Sequence, residues 1–164
     1  MLICLDTTSL DKVTVKQICD TADINRSTFY AHYPNPIALY KLMEQSMTDS
    51  LIRHFTNQKN KSATYIETLH HFLDYCYENR ELFLALYKTD SASLKKTLVD
   101  LTLSFDFLAD TVPENEKAYI FEYYVSGVLS VIARWLRKDR MKNIDEMAQL
   151  IYLLTHAPER SQQS

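Results

Sequence analysis

Residues 14–33 read TVKQICDTADINRSTFYAHY, and this stretch decides the fold. Apolar residues recur at helical spacing from Val15 to Ala22, and Thr14 is placed to cap that helix at its N-terminus. The polar residues that follow interrupt the pattern, and Asn25 is suited to cap a second helix from Arg26 to about Tyr33. Two short helices joined by a tight turn form a helix-turn-helix.

The turn Pro34-Asn35-Pro36 separates this unit from a third, longer helix. Proline does not continue a helix, whereas Asn35 as N-cap and Pro36 at the first helical position favour the start of a new one, which we expect to reach about Asn57. Apolar periodicity predicts the later helices at 63–78 behind Ser62, 80–88, 93–110 behind Ser91, 114–138, and 143–156 with Asn143 and Glu146 as a capping box.

The composition favours an all-α fold with about nine helices. Hydrophobic residues make up 46% of the 164 residues, whereas Gly occurs once and Pro four times. Ordinary proteins contain about 7% Gly and about 5% Pro. The net charge of -3 gives no global basic character, so any contact with nucleic acid must come from a local surface.

The sequence also lacks the motifs of common enzyme and metal sites. Gly127 is the sole Gly, which excludes phosphate-binding loops, and we find no GxSxG, HExxH or paired-Cys motif. We therefore expect no catalysis, no cofactor and no metal. His70-His71 is not a metal motif, because adjacent helical residues point about 100° apart. The odd, widely spaced cysteines and the absence of an apolar run near ~18 residues predict a cytoplasmic protein without a membrane partner.

The helix-turn-helix segment resembles the TetR family of bacterial repressors. The residues that carry the resemblance are Thr14-Val15, Ile18, Ala22, Ile24, Ser27-Thr28, Tyr30-Ala31-His32-Tyr33 and Leu39. A second, weaker resemblance joins the segment from Tyr119 through Gly127 to Trp135-Leu136, with the closing helix from Asn143, to a C-terminal domain of Gram-positive members. The resemblance implies a helix-turn-helix DNA-binding domain at 1–45, a helical regulatory and dimerisation domain at 46–157, and a flexible tail at 158–164.

Three features depart from the family pattern: two single residues and the short segment before the motif. Asp23 stands where members usually have Gly in the turn, and Asp adopts left-handed dihedrals better than most residues do. Pro36 replaces a basic residue that contacts phosphate, a role in which Lys41 is a partial substitute. Residues 1–8 leave room for a shortened first helix unless the start codon lies upstream of Met1.

The expected DNA surface lies on the second helix of the motif and on the helix after it. Residues 25–43 contain Arg26 and Lys41 and no acid, so this stretch is locally cationic. Arg26 and Thr28 are the candidates for reading base edges, with Ser27 beside them on the outward face. The resemblance assigns Thr14, Tyr30, His32 and Lys41 to phosphates. The alternative is a solvated face of a purely structural helix pair.

The segment 119–136 is apolar almost all round, so it must be buried on several sides. Its small residues at helical spacing permit close approach of another helix, which suggests a homodimer interface made by the last two long helices. The predicted interface residues are Gly127, Ser130, Val131, Arg134, Met147, Leu150, Ile151 and Leu154. The alternative is an intramolecular core.

Aromatic and polar-aromatic residues between these regions suggest an apolar pocket for an unknown small-molecule effector. The candidates are His54, Phe55, His70, Phe72, Tyr75, Tyr87, Phe105 and Tyr123. For each of them, core packing is the alternative to ligand contact. The function we expect is a homodimeric, ligand-responsive repressor that binds a palindromic double-stranded DNA operator. The competing hypothesis is a dimeric interaction or small-molecule-binding protein that does not bind DNA.

Overall fold

The computed structural model of the chain describes residues 1–58, 64–104, 113–138 and 142–156, and every regular element within these ranges is helical. The prediction of an all-α fold is therefore confirmed. The helices are α1 (Leu2–Thr7), α2 (Val15–Ala22), α3 (Arg26–His32), α4 (Pro36–Gln58), α5 (Tyr65–Glu78), α6 (Arg80–Thr89), α7 (Ser91–Ser104), α8 (Glu114–Lys138) and α9 (Ile144–His156), with a 3-10 turn at Leu10–Lys12.

Side-chain caps fix most of the helix starts. Thr14 and Gln17 form a capping box at α2, and the Oδ1 atom of Asn35 accepts the Ala38 N–H at 2.9 Å to open α4. The predicted box at α9 is confirmed, since Asn143 and Glu146 each accept the other's backbone N–H at 2.9 Å.

Two predicted caps are wrong by one or two residues. The α5 helix is capped by Thr64 rather than Ser62, because Glu67 lies three residues after Thr64 and completes a capping box. The α7 helix begins at Ser91, and Asp90 caps it by accepting the Ser93 N–H at 3.0 Å. Asp90 also ends α6, so these two helices need no linker.

The larger part of the chain is a body in which α5 packs on α9, α7 packs on α8, and α6 contacts both α7 and α8. Fully buried side chains fill its centre, among them Leu73, Phe83, Ile132 and Ile151. Helices α1 to α3 form a head, and α4 leads from that head into the body. Since α4 is one helix from Pro36 to Gln58, it runs through the predicted domain boundary at residue 45.

The short first helix is anchored on both parts. It contacts α2 in the head and α6 in the body, and its residues Cys4 and Leu5 are buried. The ammonium group of Lys88 in α6 donates to the carbonyl oxygens of Leu5 and Asp6, at 2.8 and 3.0 Å. These carbonyls lie at the C-terminal end of α1, where a cation is favourable and backbone acceptors lack helical partners.

None of the described helices is sufficiently long and apolar to cross a membrane. The three cysteines are free and buried, and the described residues contain no cluster of three or more His, Cys, Asp or Glu side chains that would hold a metal ion.

Candidate nucleic-acid interface

The turn between α2 and α3 depends on one residue in the left-handed region. Asp23 has φ 53° and ψ 48°, and its N–H bonds to the Cys19 carbonyl to close α2. Ile24 donates to the same carbonyl at 3.1 Å. Asp23 therefore takes the conformation for which members of the resembling family use Gly, and a β-branched residue in this position would be strained.

We expect Asp23→Gly to raise the free energy of unfolding by about 0.5 to 1 kcal/mol, because Gly adopts this conformation without a Cβ penalty and removes a carboxylate from a helix C-terminus. Asp23→Val is the matched control and should lower that free energy by a larger amount. Urea denaturation of the three proteins measures both changes. A Gly variant less stable than the natural protein would contradict this account of the turn.

Asn25 organises the start of α3. Its Oδ1 atom accepts the Thr28 N–H at 2.7 Å, the Ser27 hydroxyl at 2.6 Å and the Thr28 hydroxyl at 2.8 Å. Both hydroxyl protons are thus used within the cap. Thr28 can then meet DNA with its methyl group, which suits a thymine methyl, or as an acceptor.

The two faces of α3 differ in burial. Phe29 is buried, with 2% of its surface exposed, and its ring lies 5.6 Å from that of Tyr33. All seven residues named for DNA contact are exposed: Thr14, Arg26, Ser27, Thr28, Tyr30, His32 and Lys41. The structure therefore presents α3 as an open helix with a cation at its start.

The charges on this surface are available to a partner. Arg26 lies in the first turn of α3 and Lys41 in the second turn of α4. None of the ion pairs formed between described residues involves either of these two cations. Residues 25–43 contain no acid, and the acids nearest in sequence are Asp23, three residues before Arg26, and Glu44, three residues after Lys41. Such a patch is suited to phosphate and to guanine edges.

The joint between head and body buries a tyrosine of α4. Tyr40 of α4 is buried, with 4% of its surface exposed, and that burial raises its pKa to about 12. Its hydroxyl therefore stays protonated over the whole range in which proteins are handled, and no charge develops there. The sequence did not indicate the role of Lys88, which binds α1 to the body by donating to the Leu5 and Asp6 carbonyls. No local pattern could have indicated a contact across 83 residues.

The residues predicted to form a dimer interface divide into two groups. Gly127, Ser130, Arg134 and Leu154 are exposed, and Val131 and Leu150 are half-buried. Met147 and Ile151 lie in the core of the single chain, with 4% and 0% exposed. They cannot offer an open face to a partner, because α9 turns them towards α5 and α8. Tyr119 and Tyr123, with 79% and 75% exposed, take their place on the open surface.

The described residues among those predicted to line an effector pocket are divided between the core and the surface. Phe72 and Tyr75 are buried in the core, and the Tyr75 hydroxyl donates to the Met47 carbonyl at 3.4 Å. His70 is half-exposed between two carboxylates, those of Asp74 and Asp145.

Tyr123 points outward from α8, and the half-buried Tyr87 pairs with Ser130 at 3.1 Å. The side chains of His54 and Phe55, and the whole of Phe105, lie outside the described residues, as does the predicted tail.

Residues 63–157 match a protein family described as the transcriptional regulator C-terminal region of the TetR type. Among solved structures, the chain is similar to the dihydroxyacetone kinase operon activator DhaS, with 16% identity and a TM-score of 0.54. That alignment covers 99% of this chain and 93% of the other. It shows a common fold along nearly the whole length. No curated protein matches the sequence.

Proposed function

Because the chain belongs to the TetR family of transcriptional regulators, we propose that it binds a palindromic DNA operator as a homodimer and represses transcription until an effector binds. The observation that carries the proposal is the open face of α3, which presents Arg26 with no ion-pair partner among the described residues. A recognition helix in the major groove needs such a face. The family match covers residues 63–157, which lie in the body. In this proposal the body has the regulatory role and the head binds DNA.

The homodimer is supported by an open face on α8 that carries two tyrosines, two small residues and one arginine. Tyr119, Tyr123, Gly127, Ser130 and Arg134 follow one another at intervals of three or four residues, and all five are exposed. The opposite side of α8 is buried within the chain. Helix α9 contacts α8 and leaves Leu153 and Leu154 about half exposed. A face of this kind is seldom left in water, and a second copy covers it by the isologous pairing that homodimers use.

The dimer gives a geometric expectation for the DNA. Two copies of α3 related by a two-fold axis read two half-sites about 34–36 Å apart, which is one helical turn of DNA. The distance between the two heads determines whether the dimer fits this site. An effector that binds more tightly to one conformation of the dimer than to the other shifts the protein between a state that binds the site and a state that does not. Bound at a promoter, the dimer then excludes transcription, and effector binding relieves the block.

Selection of binding sites from random duplexes tests the proposal. We expect the enriched sequences to be palindromes with half-site centres one turn of DNA apart. A scrambled version of the enriched site is the matched control. Enrichment of no sequence by a protein that remains folded and dimeric would overturn the proposal and favour an interaction protein that does not bind DNA.

Lys88 is a second point at which the function is testable. Lys88→Met removes the bonds to the Leu5 and Asp6 carbonyls, so we expect α1 to hold the head less firmly and operator affinity to fall by about three- to tenfold. Lys88→Arg should retain most of the affinity. Because Lys88 neutralises no phosphate in this account, the salt dependence of binding should not change. A flatter salt dependence in the Met variant would instead show a direct phosphate contact.

A further inference from the structure

The described part of the body contains a cleft where the turn from α5 to α6 meets the ends of α8 and α9. Its volume is about 310 Å³, and its walls include Tyr77, Arg80, Trp135, Leu136, Lys142 and Ile144. Small-molecule sites range from roughly 300 to 1,000 Å³, so this cleft suits a ligand at the small end of that range. None of the residues named for an effector from the sequence lies in these walls.

The polar wall of the cleft is cationic. Arg80 donates from its Nε atom to the Leu136 carbonyl at 2.7 Å, which fixes the guanidinium group. Among the described residues, no protein group accepts a hydrogen bond from its terminal N–H groups. Lys142 lines the same cleft, and no Asp or Glu is among the described residues that line it. Glu78 and Glu81, which flank Arg80 in the sequence, line a neighbouring cleft instead. Glu146, whose carboxylate accepts the N–H of the wall residue Asn143 at 2.9 Å, is also not among the described residues that line this cleft. This side therefore favours an anion with paired oxygens, to which a guanidinium group binds most strongly.

The apolar wall is aromatic and held in place. The Tyr77 and Trp135 rings lie with centroids 5.9 Å apart and planes at 35°. The indole N–H of Trp135 donates to the Lys142 carbonyl at 3.0 Å, so the ring is fixed by a hydrogen bond as well as by packing. The ring of Trp135, fixed in this way, loses little freedom when a flat ligand packs against it. Aromatic rings in the same cleft as a fixed guanidinium group favour a planar molecule that carries a carboxylate.

We propose that this cleft binds a small aromatic carboxylate and is the effector site of the regulator. The inference rests on the proposed function, because it names the ligand class of the effector. The neighbouring cleft, of about 420 Å³, shares Tyr77 and Arg80 with this one and extends to Leu2 of α1. A ligand bound by Arg80 would therefore lie next to a cleft that reaches α1, the helix that contacts both the head and the body.

Trp135 is the single tryptophan of the chain, so its fluorescence reports occupancy of the cleft directly. Benzoate is the probe, and benzamide is its uncharged counterpart of nearly the same shape. We expect benzoate to change the fluorescence with saturation and to raise the melting temperature, because it binds the folded protein alone. We expect benzamide to bind at least about tenfold more weakly, since it lacks the charge that Arg80 and Lys142 bind. A response without saturation, or equal responses to the two probes, would overturn the proposal.

Two variants separate the cleft from general effects on the protein. Arg80→Gln should weaken benzoate binding at least about tenfold. Because Arg80 also donates to the Leu136 carbonyl, circular dichroism must show that this variant is folded. If it is not folded, Lys142→Gln, at an exposed position, provides the decisive result. Lys96→Gln, an exposed lysine on α7, is the matched control and should bind benzoate as the natural protein does.

Unchanged benzoate binding in Lys142→Gln and in folded Arg80→Gln would contradict the site. These measurements contain no DNA, so their failure leaves the proposed DNA binding intact. Failure of operator selection would leave the cleft intact.

Discussion

Gly127→Trp is expected to separate the dimer into folded monomers and to weaken operator binding by a hundredfold or more. A Cβ atom added at Gly127 would meet nothing within 4 Å, so the single chain has room for a larger residue. The indole therefore projects from the open face of α8, into the space that the partner's α8 occupies in the proposed dimer. Each monomer then binds one half-site alone and loses the gain in affinity that linking two binding modules provides.

Sedimentation equilibrium measures the first part of this prediction. The natural protein should have twice the 19.2 kDa mass of the chain at micromolar concentration, and the variant should have the mass of one chain. Circular dichroism should show the same helix content for both. Gly127→Ala is the matched control: it should stay dimeric, and in an exposed helix position it should be more stable by up to about 1 kcal/mol. A natural protein that is monomeric and well folded would contradict the dimer.

The second large effect is expected at Arg26, and its character should differ from that of Lys41. If Arg26 reaches a guanine edge, Arg26→Ala should cost about 1 to 3 kcal/mol at each half-site and relax the preference for one base there. Lys41→Ala should weaken binding evenly across sequences. It should also reduce the slope of log K against log salt by about 0.9 for each phosphate that the lysine neutralises, hence by about 1.8 for a dimer.

Fluorescence anisotropy at several salt concentrations, on the selected operator and on single-base variants of it, distinguishes the two roles. Because both residues are exposed and form none of the ion pairs between described residues, neither substitution should change the melting temperature. Lys96→Ala controls for the loss of a surface cation far along the chain from the head. If Arg26→Ala lowers affinity equally for all base variants, Arg26 binds phosphate and the assignment of base reading to it is wrong.

Local chemistry made much of the head predictable from the sequence. The side-chain caps of α2 and α3, the left-handed Asp23 and the restart of the helix at Asn35 depend on residues within three or four positions of each other. The burial of Phe29 and the exposure of Arg26 follow from the helical period alone. The role of these side chains in DNA binding stays a prediction.

Contacts between distant segments were less accessible to sequence reasoning. The pattern in α9 shows which residues are apolar but not which helix covers them, so Ile151 was assigned to a partner although α5 and α8 already bury it. Likewise Tyr123 was assigned to a pocket, although the same helical period places it on the open face of α8. The cleft at Arg80 combines residues up to 67 positions apart in the chain, which no local spacing indicates.

The central claim is that this chain binds DNA specifically through α3, and anisotropy of the natural protein on its selected operator and on a scrambled duplex tests it most directly. We predict that the operator is bound with a Kd of about 10⁻⁸ M or tighter and the scrambled duplex at least about 10³-fold more weakly at physiological salt. Binding of neither duplex better than about 1 µM at low salt, by a protein shown to be folded and dimeric, would contradict the claim.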